Sequence, residues 1–252
     1  MSENMEKLTI STEAEALRYR NEKVSDKHIE ILSTAWDTKF GSLENCVIEG
    51  GNIICKSMYK AKFKGAEKVC ADEVVFSTFD SCKKVQIGEY DEGYKAETSQ
   101  FFNCGDITIS EASVTDCIFN NFETLYLTNV EMKSCLIQNV ICKNDCAISM
   151  EDGEISEVSF ENIELRNDSY LIEGYGVPWV GESVFMNIRT SREDKELFHM
   201  EEETGIIFKK TKEIQFVDEF SCSGLDLVTS LDGKSEDIDH GIIREFLKEI
   251  LK

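Results

Sequence analysis

The sequence predicts an all-β fold, a right-handed parallel β-helix of stacked coils with a short helix near each end. Two observations point there: an Asn recurs at one register of an apolar strand pattern, and a second short strand follows each of those Asn residues.

Five segments carry the repeat: Phe101-Phe102-Asn103-Cys104, Phe119-Asn120-Asn121-Phe122, Ile137-Gln138-Asn139-Val140, Phe160-Glu161-Asn162-Ile163 and Phe185-Met186-Asn187-Ile188. Each begins about 18 to 25 residues after the last, the length of one solenoid coil. Strand side chains change face at every residue, so the positions two and four before the Asn share a face. They hold Phe119 and Cys117, Ile137 and Cys135, Phe160 and Val158, which are expected to stack as apolar columns. By the same alternation the Asn falls on that inner face, at the strand's end. Asn tolerates left-handed backbone angles, and its amide both donates and accepts. Asn103, Asn121, Asn139, Asn162 and Asn187 are therefore expected to form a structural ladder, an arrangement that resembles the pectate-lyase-like β-helices.

The second strands are Ile107-Thr108-Ile109, Leu125-Tyr126-Leu127, Ala147-Ile148-Ser149-Met150, Tyr170-Leu171-Ile172 and Leu197-Phe198-His199-Met200. Their distance from the preceding Asn grows along the chain, which marks insertions in one turn. Phe79-Asp80-Ser81-Cys82 matches the Asn register. Ile53-Ile54-Cys55 and Lys62-Phe63-Lys64 extend the strands toward one end, Ile206-Ile207-Phe208 and Ile214-Gln215-Phe216 toward the other. A leucine-rich repeat of the surface-antigen type is the rival architecture, but the Asn position recurs better than any Leu position.

Solenoid ends need caps. Ser25 to Trp36 reads as a short helix, with Ser25 as N-cap and Ile29, Leu32 and Trp36 on one face. Asp237 to Lys252 reads as a clearer amphipathic helix, with Ile238, Ile242, Phe246 and Ile250 flanked by Ile243, Leu247 and Leu251. The expected organisation is a capping segment over 1–40, the β-helix over 41–230 and the second helix over 231–252. A terminal helix or coil end could also serve oligomerisation.

The 252 residues are 41% hydrophobic and 30% charged, enough apolar content for a continuous core. Acidic residues outnumber basic ones 49 to 27, a formal charge of -22 that repels phosphate backbones and anionic lipid. Nucleic acid and membrane are therefore not expected partners. The Lys-rich stretch from Lys56 to Lys68 reads as the solvated face of early coils. Met1 to Lys7 is polar, and there is no apolar stretch of about 18 residues, so a cytoplasmic location is expected. Ten cysteines without a signal peptide point to reduced thiols in the core. Cys142 and Cys146 stand closest, with no His or Cys pair nearby, so no metal site is expected.

The segment Asn144-Asp145-Cys146-Ala147-Ile148-Ser149 resembles the D-D-C-x-A-I stretch of polygalacturonase-type glycosidases, which hydrolyse pectin with paired aspartates. Asn144 stands for the first Asp, and the family's Gly-His-Gly and Arg-x-Lys are not found, so only Asp145 carries over. An acid pair of Asp145 with Asp152 or Asp168 would need neighbouring coils to bring them onto one face. Arg166 and Arg189 are the nearest basic residues for a lyase. Glu151, Asp152 and Glu154 supply oxygen ligands of the kind calcium takes, though in so acidic a chain a solvated acidic face accounts for them better. His28, His199 and His240 accompany no nucleophile elbow, and neither a P-loop nor a dinucleotide fingerprint is present, so no cofactor is expected.

Glu173-Gly174-Tyr175-Gly176-Val177-Pro178-Trp179-Val180-Gly181-Glu182 contains the chain's one Pro and reads as a loop interrupting the repeat. Tyr175 and Trp179 could stack on a sugar ring or anchor a protein partner. Two functional readings follow. One is a non-enzymatic binding or scaffold protein with a protein or carbohydrate partner. The other is an intracellular carbohydrate-active hydrolase or lyase using Asp145, Asp152 and Asp168.

Overall fold

The computed structural model describes residues 5–88, 94–176, 178–181, 183–192, 197–200, 207–209 and 215–216. The expected helix Asp237–Lys252 lies outside them. Among the described residues the chain is a parallel β-solenoid with almost no helix. Every strand pairing is parallel and joins equivalent strands of successive coils.

Three faces run the length of the stack. On the first, Ile29, Ile48, Phe63, Phe79, Phe101, Phe119, Ile137, Phe160 and Phe185 stand in register. Ile53, Val69, Val85, Ile107, Leu125, Ile148 and Ile172 form the column of the second. On the third run Val24, Leu43, Met58, Val74, Ala96, Val114, Met132, Ile155 and Val180. All of these side chains are buried in one continuous core. Neighbouring strands lie roughly 4.8 Å apart, and a flat ring on one rung can lie flat on its neighbour at that spacing. Ring centroids accordingly fall 5.0 Å apart for Phe63–Phe79, 4.9 Å for Phe79–Phe101 and 4.8 Å for Phe101–Phe119, with planes within 6° of parallel.

The faces meet at corners where one residue takes left-handed angles. Between the first and second faces these are Ser81, Asn103, Asn121, Asn139, Asn162 and Asn187, with φ between 53° and 57°. Glu111, Asn129, Asp152 and Gly176 serve the next corner. Asn45, Lys60, Phe76, Thr98, Asp116, Ser134 and Glu157 serve the third. The N–H of the corner residue donates along the stack, from Ser81 to Phe102 O (2.9 Å) and from Asn139 to Glu161 O (2.9 Å), so a sharp bend leaves no backbone donor stranded.

This conformation corrects the expected facing of the Asn ladder. A left-handed residue interrupts strand alternation: Phe101 and Cys104 are buried, while Asn103 between them is exposed. The amide row therefore runs along the outside of the corner, not within it.

Inside the third corner, two residues before the Phe/Ile column, lie Cys46, Ala61, Ser77, Ser99, Cys117, Cys135, Val158 and Ser183, all buried. Only small side chains fit where two faces converge, and their hydroxyls and thiols find partners. Ser99 Oγ donates to Glu97 O (2.9 Å) and accepts from Ser77 N (3.1 Å); Ser77 Oγ donates to Val75 O (3.0 Å) and accepts from Ala61 N (3.2 Å). The buried serines are thus satisfied rather than costly.

Ser25 to Trp36 is not the expected helix. Strands Lys23–Ser25 and Lys27–Ile31 occupy much of it, and strand pairing already begins at Glu6–Ile10 rather than near residue 41. Ile29 and Ile31 are both buried, a period of two, whereas Leu32 is 60% exposed. Pairing on both sides, Leu8 to Ile29 and Ile29 to Ile48, outweighs the helical spacing of Ile29, Leu32 and Trp36. The helix that does form is Glu13–Leu17, where Thr12 and Glu15 make a reciprocal capping box.

Phe101→Ala should destabilise the fold by about 3–5 kcal/mol in urea titration, because it removes two stacked contacts and opens a cavity. Burial, followed by the Glu97 and Glu157 carboxylates, raises the Asp116 carboxyl above the usual carboxylate range. The charged form is therefore disfavoured in the fold, and Asp116→Asn should melt higher than wild type near pH 7. That advantage should fade as the pH falls below the ordinary Asp range, where Asp116 is protonated both folded and unfolded.

Candidate functional site

The coils change cross-section part-way along the stack. Asn121 is followed by Phe122, Glu123 and Thr124 before the core residue Leu125, but Asn139 is followed by the longer stretch Val140 to Ala147 before Ile148. The added residues make a short extra face: Ile141–Cys142 pairs with Glu164–Leu165, and Ile163–Leu165 pairs with Ile188–Thr190. Drift in the Asn-to-strand distance thus corresponds to a fourth side in the later coils.

Where this face leaves the amide row there is a shallow depression of about 290 Å³. Its lining includes Asn139, Asn162 and Asn187 along one wall and Ile141, Glu164 and Arg189 along the other. Asn162 Nδ2 donates to Asn139 Oδ1 (3.2 Å) and Asn187 Nδ2 to Asn162 Oδ1 (2.7 Å). Further along the row, Asn121 donates to Asn103 (2.9 Å) and Asn103 to Asp80 (3.3 Å). Within the depression Asn162 uses one N–H and one acceptor site in the row, Asn139 contributes its oxygen and Asn187 an N–H, and an amide has further donor and acceptor capacity beyond these bonds. Glu164 accepts from Arg166 at 2.8 and 3.1 Å, and that guanidinium, with Arg189 adding to it, holds the Glu164 carboxyl below the usual range. Ile141 is 45% exposed, an apolar edge beside amides and charges.

A second cluster lies beyond the extra face. The Arg192 guanidinium sits 4.1 Å from the centroid of the Tyr170 ring, and the His199 ring stacks on Tyr170 at 4.5 Å and 16°. Arg192 Nη1 donates to Asp168 O (2.9 Å), and Asp168 N donates to Ser191 Oγ (3.0 Å). Nothing local in the sequence relates Tyr170, Arg192 and His199; only the coil length does.

The expected carboxylates separate into two places. Asp145 and Asp152 flank the strand Cys146–Glu151, seven residues apart and so roughly 23 Å at the rise of a strand, far beyond the 5–9.5 Å of paired glycosidase acids. Asp168 lies near Asp145, two residues before Tyr170, which pairs with Cys146. Asp152 occupies the far corner with its carboxylate against Gly176 of the next coil.

The expected loop around Tyr175 and Trp179 is instead two strands and a corner. Tyr170–Tyr175 pairs with Cys146–Glu151, and Trp179–Gly181 pairs with Glu154–Ser156. Gly176, with φ of 68°, turns the chain as Asp152 does one coil earlier, so the repeat continues through this segment. Tyr175 is half-buried, and its carbonyl accepts from Asp152 N (3.1 Å).

All nine cysteines among the described residues are free and buried. Burial pushes the Cys55 and Cys146 thiols up to about 12, which keeps them in the unreactive neutral form. Among the described residues no group of three His, Cys, Asp or Glu could hold a metal ion, and no helix is long and apolar enough to cross a membrane. The lysines from Lys56 to Lys68 are shared among faces and corners, with Lys60 at a corner, Lys62 and Lys64 on the first face and Lys68 on the second. They make a girdle rather than a patch.

Comparisons with family models, curated proteins and solved structures find no match to this chain.

A Cβ at Gly176 would collide with the Asp152 carboxylate, at a backbone angle side chains rarely adopt. Gly176→Ala should therefore cost about 1–3 kcal/mol in chemical denaturation. Adding Asp152→Gly should recover part of the loss, since it clears the collision and relaxes the left-handed backbone at 152 but leaves the strain at 176.

Proposed function

We propose that the chain is a non-catalytic binding protein of the pectate-lyase-like β-helix type, and that its later coils hold a carbohydrate against the amide row. The observation that carries this reading is the depression between Asn139, Asn162 and Asn187 on one wall and Ile141, Glu164 and Arg189 on the other. Sugar hydroxyls donate and accept at once, and paired amide groups, a carboxylate and a guanidinium on one small surface meet that need. Its volume stands near the lower bound of small-ligand sites, roughly 300–1,000 Å³, which suits one or two rings lying in an open groove better than an engulfed ligand.

Rigidity supports the same reading. The amides sit on hydrogen-bonded corners over a packed core, so little ordering would be needed on binding.

A glycan array probed with the full chain should show a restricted set of bound oligosaccharides. Arg189→Ala, at an exposed position, should lower affinity for those glycans at least tenfold in calorimetry without changing the melting temperature. Equal binding by Arg189→Ala and wild type, or an empty array, would remove this function.

A further inference from the structure

We infer that the chain carries a redox-sensitive staple: Cys82 with Cys104, and Cys117 with Cys135, are two latent disulfides that close between neighbouring coils when a small-molecule disulfide is present. Neither pair lines the depression, and the inference stands apart from the carbohydrate reading.

All four thiols occupy one structural position. Each directly follows a left-handed corner residue: Ser81, Asn103, Asp116 or Ser134. Each lies within hydrogen-bonding reach of the carbonyl two residues earlier, Cys82 Sγ of Asp80 O (3.8 Å), Cys104 of Phe102 O (3.5 Å), Cys117 of Thr115 O (3.3 Å) and Cys135 of Lys133 O (3.2 Å). The side chains therefore share one direction, and sulfur lies over sulfur where two such positions fall on adjacent coils. Backbone pairing puts them there, since Gly105 N donates to Cys82 O (2.9 Å) and Leu136 N to Cys117 O (2.9 Å). The later member of each pair also touches the earlier coil. Cys104 Sγ is 3.7 Å from Phe79 O, and Cys135 Sγ accepts from Cys117 N at 3.4 Å.

This spacing fits the bond. Equivalent residues of paired strands stand about 4.8 Å apart, inside the roughly 4.4–6.8 Å that bridged Cα atoms span, and their Cβ vectors run side by side. The four side chains are at most 3% exposed, and a neutral disulfide suits so dry a corner better than a thiolate. No other described cysteine faces a cysteine at the equivalent position of an adjacent coil. Cys55 lies between Phe40 and Ala71, Cys70 between Ile54 and Gln86, and Cys142 and Cys146 pair with Leu165 and Tyr170. Cys46 shares the third corner with Cys117, but Ala61, Ser77 and Ser99 separate them.

The Cys104 thiol holds the Cys82 thiol below its usual range, which makes Cys82 the attacking sulfur. Its thiolate displaces one thiolate from the small-molecule disulfide and leaves a mixed disulfide. Cys104 then gives up its proton and displaces the second thiolate, closing the bridge. Two electrons pass to the oxidant, and the two protein protons end on the two released thiols. Cys117 and Cys135 close by the same exchange. Because the sulfurs are buried, each exchange takes place while a corner is open or while the chain folds. One bridge ties the Phe79 coil to the Phe101 coil at one end of the first face, and the other ties the Phe119 coil to the Ile137 coil at the opposite end. Each closes a loop of about 20 residues and so restricts the unfolded chain.

The test incubates the full chain with reduced and oxidised glutathione, once folded and once during refolding from urea, followed by alkylation and peptide mapping. Links 82–104 and 117–135 are expected in at least one incubation, with the other described cysteines alkylated. The bridged chain should unfold in at least about 1 M more urea than the same chain treated with dithiothreitol. Cys104→Ser should abolish the first link and leave the second. Combining Cys135→Ser with Ser99→Cys should move the second link to positions 99 and 117, since Ile118 N donates to Ser99 O (2.9 Å) and places Ser99 one coil before Cys117. Free thiols at either pair in both incubations, a link between other cysteines in their place, or an unchanged urea midpoint would each overturn the inference.

Discussion

The structure depends on one backbone event repeated at every corner: a residue takes left-handed angles and passes its N–H to the coil beyond. A non-glycine residue in this conformation is costly, and Asn and Asp least so because their short side chains bond locally. The cost is tolerated even at Phe76, Lys60 and Thr98, since the bend keeps successive strands parallel and leaves the backbone ladder continuous. Without that bend, the apolar residues of adjacent faces could not point to one axis.

From the bend follows the distribution of side chains. Inside, equivalent positions of successive coils meet at one height, so that along much of the first face Phe lies on Phe and in the third corner small Ser, Cys or Ala lie on one another. The thiols belong to this logic: Cys117 and Cys135 occupy the same inner corner as Ser77 and Ser99, and donate to carbonyls in the same way. Outside, the corner residue becomes the most regularly spaced group on the surface. A row of amides at coil spacing is thus a by-product of folding that ligand recognition can use.

Variation is confined to places the corner rule leaves free. The insertion after Asn139 adds a face without disturbing the first and third columns, and it creates the concavity beside the amide row. On the first face, outward residues pass from a charged-rich mixture to a nearly uncharged one, which likewise leaves the inward Phe and Ile untouched. Core and surface are specified by alternate residues of the same strands, which allows one to stay constant while the other changes.

Sequence by itself determined the coil repeat, the register of Phe119, Ile137 and Phe160, and the position of the insertions, because these rest on spacing and burial, which are local and periodic. It misplaced the Asn side chains, since a single left-handed residue inverts alternation and leaves no mark on the pattern of residue types. Ile29, Leu32 and Trp36 fit a helix as well as a strand, and only pairing with Leu8 and Ile48 decides between them. Gly176 reads as a loop residue in the sequence because Gly and Pro punctuate turns generally, whereas the fold uses it as one more corner. The depression, the Tyr170–Arg192–His199 stack and the separation of Asp145 from Asp152 belong to tertiary structure alone. Each depends on how many residues one winding consumes before the next passes alongside, a length set by the closure of the coil and not by any residue within it.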